Sequence, residues 1–222
     1  MSELQILGAP ASNYVWVVRM ACAEKRVPYT LIPTMPHTPE IDAIHPFGKI
    51  PVMRHGAATL CESRAICLYI DRVFDGPPLV PAEPLLAARV EQWISIINTH
   101  VAPVCMLRYL LGYFFPATSD GAPDRALIDG ALDEMRAQIA VLDAAVAHSG
   151  YLAGDAFTLA DIALLPTLHY LHKMPESGAM LTEARQLRRY FDRHAQRASF
   201  RQTLPEFMPP SIERALAAAQ AA

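Results

Sequence analysis

Excess positive charge is absent from this chain of 222 residues. Lys and Arg number 19 against 22 Asp and Glu, which gives a formal net charge of −3 at pH 7. Proteins that bind nucleic acid or an anionic membrane surface electrostatically concentrate basic residues instead. The charge balance therefore argues against both kinds of partner.

Long uninterrupted apolar runs are also missing. The first residues lack the basic segment and apolar run of a secretory signal peptide. The most apolar stretch, residues 101–115, is broken by Pro103 and Arg108, short of the roughly 18 apolar residues of a membrane span. We therefore expect a cytoplasmic protein with no membrane segment.

Cysteine is scarce, and its spacing excludes the usual metal and disulfide frameworks. The chain has four cysteines, with no C-x-x-C pair and no histidines at zinc-site spacing. A chain that is 52% hydrophobic can bury a large core without covalent links. We expect reduced, mostly buried thiols and no metal.

The first 75 residues alternate between strand and helix patterns. The patterns predict strands at 4–7, 29–32, 51–54 and 59–61, and helices at 13–26, 40–44 and 63–74. A βαβ unit favours parallel strands joined by a right-handed crossover. The order βαβ-α-ββα is that of a thioredoxin-like domain, which we assign to residues 1–75.

A proline-rich segment then separates this domain from a helical remainder. Residues 76–84 contain four prolines, which cannot continue a helix and form a stiff linker. Residues 85–222 show helical periodicity with no convincing strand. The patterns predict helices at 85–115 (bent at Pro103), 124–148, 159–173, 183–197 and 212–219. We therefore expect an α/β domain followed by an all-α helical bundle domain.

One motif stands out in the α/β domain. It reads His45-Pro46-Phe47-Gly48-Lys49-Ile50-Pro51-Val52, and Glu62-Ser63 follows ten residues later. This order resembles the glutathione-binding half of the cytosolic glutathione transferases, although His45 replaces the Asn that often starts the motif. The resemblance extends over the whole chain, to residues 154–161 and to Arg197-Ala198-Ser199-Phe200.

The resemblance implies a site for glutathione, γ-Glu-Cys-Gly, as co-substrate. Pro51 would follow a cis peptide bond, and the Ile50 backbone would then pair with the ligand backbone. Ser63 would cap its helix and hold the γ-glutamyl carboxylate, while Glu62, or an acid of a second subunit, would meet the ammonium. His37 and Lys49 would supply positive charge for the glycyl carboxylate.

The resemblance also indicates which residue activates the thiol. Ser12, with Gly8 before it and Arg19 after it, matches the serine-type classes phi, theta and zeta. A hydroxyl at a helix start that donates to the sulfur stabilises the thiolate nucleophile. Asn13 and Tyr14 remain alternatives for the thiol contact.

The resemblance further implies an apolar site for the second substrate, on the helix that follows the linker. Aromatic and Met side chains suit a hydrophobic electrophile. The candidates are Met106, Tyr109, Leu110, Tyr113 and Phe114. We expect a homodimeric transferase; the alternatives are a glutathione-dependent cis-trans isomerase and a non-enzymatic binding protein of the same fold.

A second motif predicts a structural role. Thr158 and Asp161 have the spacing of a capping box, and Phe157 and Ile162 have that of a hydrophobic staple. We expect these residues to fix the start of a buried helix and not to take part in chemistry.

Overall fold

A computed structural model of the chain describes residues 3–117, 122–205 and 210–221. Its contacts divide the chain into two compact units. The first contains Met1–Pro81 and Gln196–Met208, and the second contains Ala82–Ala195 and Pro209–Ala222. The segment 196–208 therefore belongs with the N-terminal residues, although the linear boundaries predicted from the sequence place it in the helical domain.

The first unit is built on a four-stranded mixed sheet of β1 (Leu4–Leu7), β2 (Thr30–Ile32), β3 (Val52–His55) and β4 (Ala58–Cys61). The spatial order of the strands is β2-β1-β3-β4. Strand β1 runs parallel to β2 and antiparallel to β3, and β3 pairs antiparallel with β4. The thioredoxin-like topology predicted from the sequence is confirmed.

The helices are numbered along the chain. Those of the first unit are α1 (Asn13–Lys25), α2 (Pro39–Asp42), α3 (Ser63–Val73) and, near the C-terminus, α10 (Ala198–Gln202). Those of the second unit are α4 (Pro84–Phe114), α5 (Arg125–Asp129), α6 (Leu132–Val146), α7 (Leu159–Leu171), α8 (Pro175–Glu183), α9 (Arg185–His194) and α11 (Pro210–Ala221).

Helix α10 packs on α1 through buried polar and aromatic contacts. Trp16 is fully buried, donates from Nε1 to Thr203 Oγ1 at 2.8 Å and lies with its ring centroid 5.0 Å from that of Phe200. Arg197 binds Glu24 through two hydrogen bonds of 2.7 and 2.8 Å. These bonds explain why residues so distant in sequence join the N-terminal unit.

A buried ion pair fixes the start of the proline-rich segment. Lys25 Nζ lies 3.2 Å from Asp71 Oδ1, and the two side chains are 3% and 4% exposed. The Asp71 carboxylate also accepts the N–H groups of Leu79 and Val80 at 2.8 and 3.2 Å. The pair is thus hydrogen-bonded as well as neutralised, the condition under which buried charges are tolerated.

Helix α4 is continuous but not regular. It contains two π-helical segments, Ile97–Val101 and Cys105–Leu110, on either side of Pro103. Proline lacks the N–H of a normal helical turn and crowds the preceding turn, and wider turns accommodate this. At Pro103 the structure shows this change of helix type; the bend itself stays a prediction.

Helix α4 is longer and more apolar than the sequence analysis leads us to expect. It has 31 residues and reaches a mean hydropathy of 1.3 over 18 residues, so by length and composition alone it could cross a membrane. The core helix of a soluble protein passes the same test, and 44% of this window is buried within the structure. Pro103 and Arg108 interrupt the apolar run, but the mean hydropathy over 18 residues stays as high as that of a membrane-spanning helix.

The helix predicted at 124–148 is wrong in one respect, because it is two helices. Helix α5 ends at Asp129, with Gly130 as its C-cap residue, and α6 begins at Leu132, after Ala131. Glycine has low helix propensity, and the Arg108 guanidinium takes the Gly130 carbonyl as a hydrogen-bond acceptor. The chain therefore turns there instead of continuing one helix.

Helix α7 starts at the predicted capping box, which the structure confirms. The Asp161 side chain is fully buried and accepts hydrogen bonds from the N–H groups of Leu152 and Thr158 and from the Tyr190 hydroxyl, at 3.0, 2.8 and 3.0 Å. Burial raises the pKa of Asp161, and these hydrogen bonds oppose the rise. The motif anchors a helix that is apolar on nearly every side.

Candidate functional site

The turn between β1 and α1 lies against the residue that precedes Pro51. A Cβ at Gly8 would overlap Val15 and would sit 3.3 Å from Ile50 Cβ, so only glycine permits this approach. Ser12 ends the turn as the N-cap residue of α1. The turn therefore brings the start of α1 close to Ile50.

Ser12 is the N-cap residue of α1, but its hydroxyl makes no capping hydrogen bond to the helix. Its N–H donates to Ala9 O at 2.9 Å and its carbonyl accepts from Trp16 N at 2.9 Å, but its side chain makes no capping hydrogen bond. The side chain is half-buried. A hydroxyl in this position can donate to an anion placed beside the first turn of the helix.

The two residues after Ser12 differ in their surroundings. Asn13 is buried. Tyr14 is half-buried, and burial together with the charge of Glu62 raises its pKa. The phenol is therefore neutral at physiological pH and can act only as a neutral donor or acceptor.

Residues 50 and 51 have the predicted backbone. The Ile50–Pro51 peptide bond is cis. Ile50 packs against the buried cluster of Leu7, Ile41 and Val52. The β3 ladder begins at Val52, so Ile50 lies just outside the strand pairing.

The segment before Ile50 carries His37 and Lys49, the two basic residues predicted to meet the glycyl carboxylate of glutathione. Gly48 has φ of +62°, and a Cβ there would overlap His37 and lie 2.6 Å from Asp42 Oδ1. His37 also has a positive φ, and its N–H donates to Gly48 O at 2.9 Å. Its imidazole is exposed, with Nδ1 3.9 Å from Asp42 Oδ1. Lys49, which follows Gly48, is exposed as well.

The start of α3 departs from the prediction. Glu62, not Ser63, is the N-cap residue, so the expected capping role of Ser63 is wrong, and Ser63 is the first residue of the helix. Glu62 has φ of 68° and ψ of 113°, a combination that residues other than glycine adopt at an energetic cost. Such conformations concentrate at ligand sites.

His45 contacts Glu62. The buried imidazole accepts the N–H of Phe47 on Nδ1 at 3.1 Å, and Nε2 lies 3.5 Å from Glu62 Oε1. Sequence reasoning noted His45 only as a departure from the motif and gave it no role. The contact joins two segments separated by a hairpin, so no local pattern signals it.

Most of the predicted second-substrate residues are buried. Tyr109 and Leu110 are at most 1% exposed, and Tyr113 and Phe114 are 8% and 5% exposed. Met106 is half-buried. In the described structure four of the five side chains therefore present little surface.

A carboxylate that sequence reasoning missed binds both tyrosines. Glu176 accepts hydrogen bonds from the Tyr109 and Tyr113 hydroxyls at 2.9 and 2.6 Å and from Arg125 at 2.8 Å. Burial raises the pKa of Tyr113 to about 12. Burial also acts to raise the pKa of Glu176, but the bonds from Tyr113 and Arg125 outweigh it and hold that pKa below its usual value.

Comparison with known proteins now identifies the family. The family described as glutathione S-transferase, N-terminal domain, matches residues 6–78, and the one described as glutathione S-transferase, C-terminal domain, matches residues 125–193. Glutathione S-transferase 3 of Zea mays is 33% identical over 95% of this chain and 99% of its own. The chain belongs to the glutathione S-transferase family.

Solved structures of this family share the fold. Glutathione transferase F7 from Populus trichocarpa superposes with a TM-score of 0.83 at 28% identity, covering 90% of this chain and 97% of its own. A theta class glutathione S-transferase from Xanthomonas axonopodis pv. citri, with glutathione bound, has a TM-score of 0.79 at 25% identity, covering 94% and 100%. The predicted resemblance and fold are confirmed.

The remaining expectations concern metals and thiols. In residues 3–117, 122–205 and 210–221, no group of three or more His, Cys, Asp or Glu side chains could hold a metal ion. All four cysteines are free. Cys22, Cys67 and Cys105 are buried, and burial raises the pKa of Cys67 and Cys105 to about 12. These thiols stay protonated at neutral pH and are poor nucleophiles.

Proposed function

We propose that this chain is a glutathione transferase that binds glutathione in its first unit, stabilises the thiolate with Ser12 and conjugates it to a hydrophobic electrophile. The observation that carries the proposal is the half-buried Ser12 hydroxyl, which stands at the start of α1 and caps nothing. Family membership and the Zea mays relative named a glutathione S-transferase support it.

Formation of the glutathione thiolate at neutral pH requires a hydrogen-bond donor at the sulfur. A free thiol with a pKa of about 8.5 is mostly protonated at neutral pH. The Ser12 hydroxyl and the positive end of the α1 dipole favour the anion, so the thiol proton passes to solvent. The sulfur lone pair then forms a C–S bond, and either a leaving group departs with its electron pair or the adduct takes a proton from water.

The rest of the glutathione chain meets groups of both charges. In our proposal the Ile50 backbone, before Pro51, pairs with the cysteinyl unit. Ser63 and the first N–H groups of α3 hold the γ-glutamyl carboxylate, and Glu62 meets its ammonium. The strained backbone of Glu62 supports a ligand role for that residue.

The opposite end of glutathione is a carboxylate, and the segment 37–49, which contains α2, carries two exposed basic side chains at its ends. We assign the glycyl carboxylate to His37 and Lys49. The hydrogen bond from His37 N–H to Gly48 O at 2.9 Å joins the two ends of this segment, where the two basic residues lie. The positive charge of Lys49 is complementary to that of the glycyl carboxylate.

For the electrophile we retain Met106, Tyr109, Leu110, Tyr113 and Phe114 as the proposed contacts. The tyrosine hydroxyls are bound to Glu176 and the two rings are buried, so of the five residues Met106 offers the most accessible side chain. The flexible Met106 side chain, half-buried, suits ligands of varied shape.

The organisation of the working protein is also part of the proposal. We assign glutathione binding to residues 1–75, a linker to residues 76–84 and the electrophile site to residues 85–222. We place the activity in the cytoplasm, in a homodimer.

Ultraviolet difference titration of bound glutathione tests binding and thiolate formation together. We expect thiolate absorbance to develop at a pH clearly below the roughly 8.5 of a free thiol, and conjugates to form with apolar electrophiles. Saturable binding with an unshifted thiol pKa would support a binding protein instead. The absence of any glutathione binding would contradict the proposal as a whole.

A further inference from the structure

We propose that His45 is a positioning residue that holds the Glu62 carboxylate in place for the ammonium group of glutathione. The inference rests on the proposed function, because it concerns the γ-glutamyl end of the same ligand. It is carried by one geometry: a buried imidazole fixed on one side by a backbone N–H and facing Glu62 on the other.

The imidazole has little freedom. Its side chain is 3% exposed. The backbone of His45 is held as well, since its N–H donates to Ile41 O at 2.7 Å and its carbonyl accepts from Gly48 N at 3.0 Å. Ring and backbone are thus fixed by the same turn that leads to Ile50.

The hydrogen bond to Nδ1 decides which ring nitrogen carries the proton. Nδ1 accepts the Phe47 N–H at 3.1 Å, so in the neutral ring the proton is on Nε2. Nε2 lies 3.5 Å from Glu62 Oε1 and therefore directs a donor at the carboxylate. This distance is longer than that of a strong hydrogen bond, and the exposed Glu62 side chain can shorten it by a small shift.

Glu62 is a side chain that needs such an anchor. It is 70% exposed, and an exposed carboxylate on a flexible stem samples many rotamers. A carboxylate held in one orientation binds a cation with less loss of entropy. A neutral imidazole orients the carboxylate without cancelling its charge, whereas Lys or Arg in its place would compete with the ligand ammonium.

Two roles of the ring can be separated by substitution. An Asn side chain places an oxygen as many bonds from Cα as His Nδ1, so His45→Asn retains an acceptor for Phe47 N–H. It ends short of Glu62. His45→Gln places its amide nitrogen as many bonds from Cα as Nε2 and retains a donor that can reach the carboxylate.

The experiment measures dissociation constants by calorimetry for glutathione and for glutaryl-cysteinylglycine, the same molecule without the amino group. The variants are His45→Asn, His45→Gln, Glu62→Gln and the double variant His45→Asn/Glu62→Gln. His148→Asn, at an exposed histidine of the second unit, is the matched control. Thermal unfolding verifies that each variant is folded.

We expect His45→Asn to weaken glutathione binding by about 3- to 10-fold, the effect of about one hydrogen bond. Binding of the deaminated analogue should not change, His45→Gln should recover part of the loss, and His45→Asn should add nothing in the Glu62→Gln background. These three results would support the positioning role.

Other results would overturn it. Equal losses for the two ligands would assign His45 to the turn alone, and normal binding by His45→Asn would remove any role. If Glu62→Gln itself left glutathione binding unchanged, another acid would meet the ammonium and the inference would fall. The proposed function would survive these outcomes; only the absence of glutathione binding by the unaltered protein would contradict that function, and the inference with it.

Discussion

Ser12 is the single side chain on which the proposed chemistry depends most. Its hydroxyl makes no capping bond to α1, so its removal should leave the helix start intact. We expect Ser12→Ala to lower turnover by roughly 10- to 1000-fold, the cost of removing one donor from a stabilised anion. The dissociation constant of glutathione should change little, while the pKa of its bound thiol should rise. Steady-state kinetics and ultraviolet titration measure these effects.

Two variants control the Ser12 experiment. Ser12→Thr keeps a hydroxyl and should retain much of the activity. Tyr14→Phe removes the neutral phenol near Glu62 and should leave the thiol pKa unchanged. If Tyr14→Phe raised that pKa and Ser12→Ala did not, the thiol contact would belong to Tyr14.

Residues whose backbone requires a particular amino acid could be predicted from the sequence. Gly48 has positive φ and no room for a side chain, and Pro51 follows a cis bond. Such requirements leave a local sequence signature. The contact of His45 with Glu62 leaves none, because a fold brings together two segments whose spacing carries no pattern. The binding of both tyrosines by Glu176 was missed for the same reason.

At the scale of elements, the start of α7 depends on one buried carboxylate. Asp161 accepts bonds from Leu152, Thr158 and Tyr190. In Asp161→Asn the amide NH₂ would face one or more of these donors, leaving buried groups unpaired. We expect a loss of about 1–3 kcal/mol in the free energy of unfolding, measured by urea denaturation.

Tyr190→Phe is the matched control for Asp161→Asn. It removes one donor and leaves the two backbone N–H groups paired, so it should cost about 1 kcal/mol. The folded fraction of both variants should keep its specific activity. Unchanged stability with lost activity in Asp161→Asn would contradict the structural role.

The end of α7 meets α9 at a half-buried histidine, His172, which should make stability depend on pH. The His172 ring lies tilted against that of Phe191, with the ring centroids 4.3 Å apart, and its buried Nε2 has no hydrogen-bond partner among the described protein groups. Burial, together with the positive charge of Arg188, lowers the pKa of His172 to about 4, although Asp192 opposes the shift. In the unfolded chain a histidine has a pKa of about 6.5.

Because the pKa of His172 is lower in the folded protein than in the unfolded chain, the protein should lose stability as the pH falls. Well above about pH 6.5 the His172 ring is unprotonated in both the folded and the unfolded state, so its protonation does not reduce the free energy of unfolding. As the pH falls towards about 4, the unfolded chain takes up a proton that the folded protein does not, so the free energy of unfolding decreases. We expect the urea midpoint to fall between about pH 7 and pH 5, and to fall less in His172→Gln. His148→Gln, at an exposed position, should behave like the unaltered protein.

The boundaries of elements were predictable where a local signal marks them. The capping box placed the start of α7 at Leu159, and the structure agrees. The break at Gly130 and the start of α8 at Pro175 were missed, although glycine and proline are weak signals for both. In α4, Pro103 signals an irregularity in the helix, but a proline does not specify that the irregularity consists of two π-helical segments on either side of it.

At the scale of the whole molecule, exposed apolar side chains bear on assembly. Leu68 and Val73 on α3 are 37% and 50% exposed, and Leu85 on α4 is 61% exposed. We expect the dimer contacts to come from these two helices, with Arg64, Arg72 and Arg89 as a polar rim. A dimer would remove this apolar surface from water.

We therefore expect the protein to sediment with a mass near twice 24.4 kDa at micromolar concentration. A charge in the centre of an apolar interface is costly because it is desolvated without a partner, so Val73→Glu should shift the protein towards the monomer. Val141 on α6 is 57% exposed and lies outside the predicted contacts, so Val141→Glu, the matched control, should leave the dimer intact. Equal dissociation by both variants would point to a general loss of stability. A monomer at every concentration that still conjugates glutathione would contradict the dimer, and it would also exclude a second subunit as the source of the acid that meets the ligand ammonium.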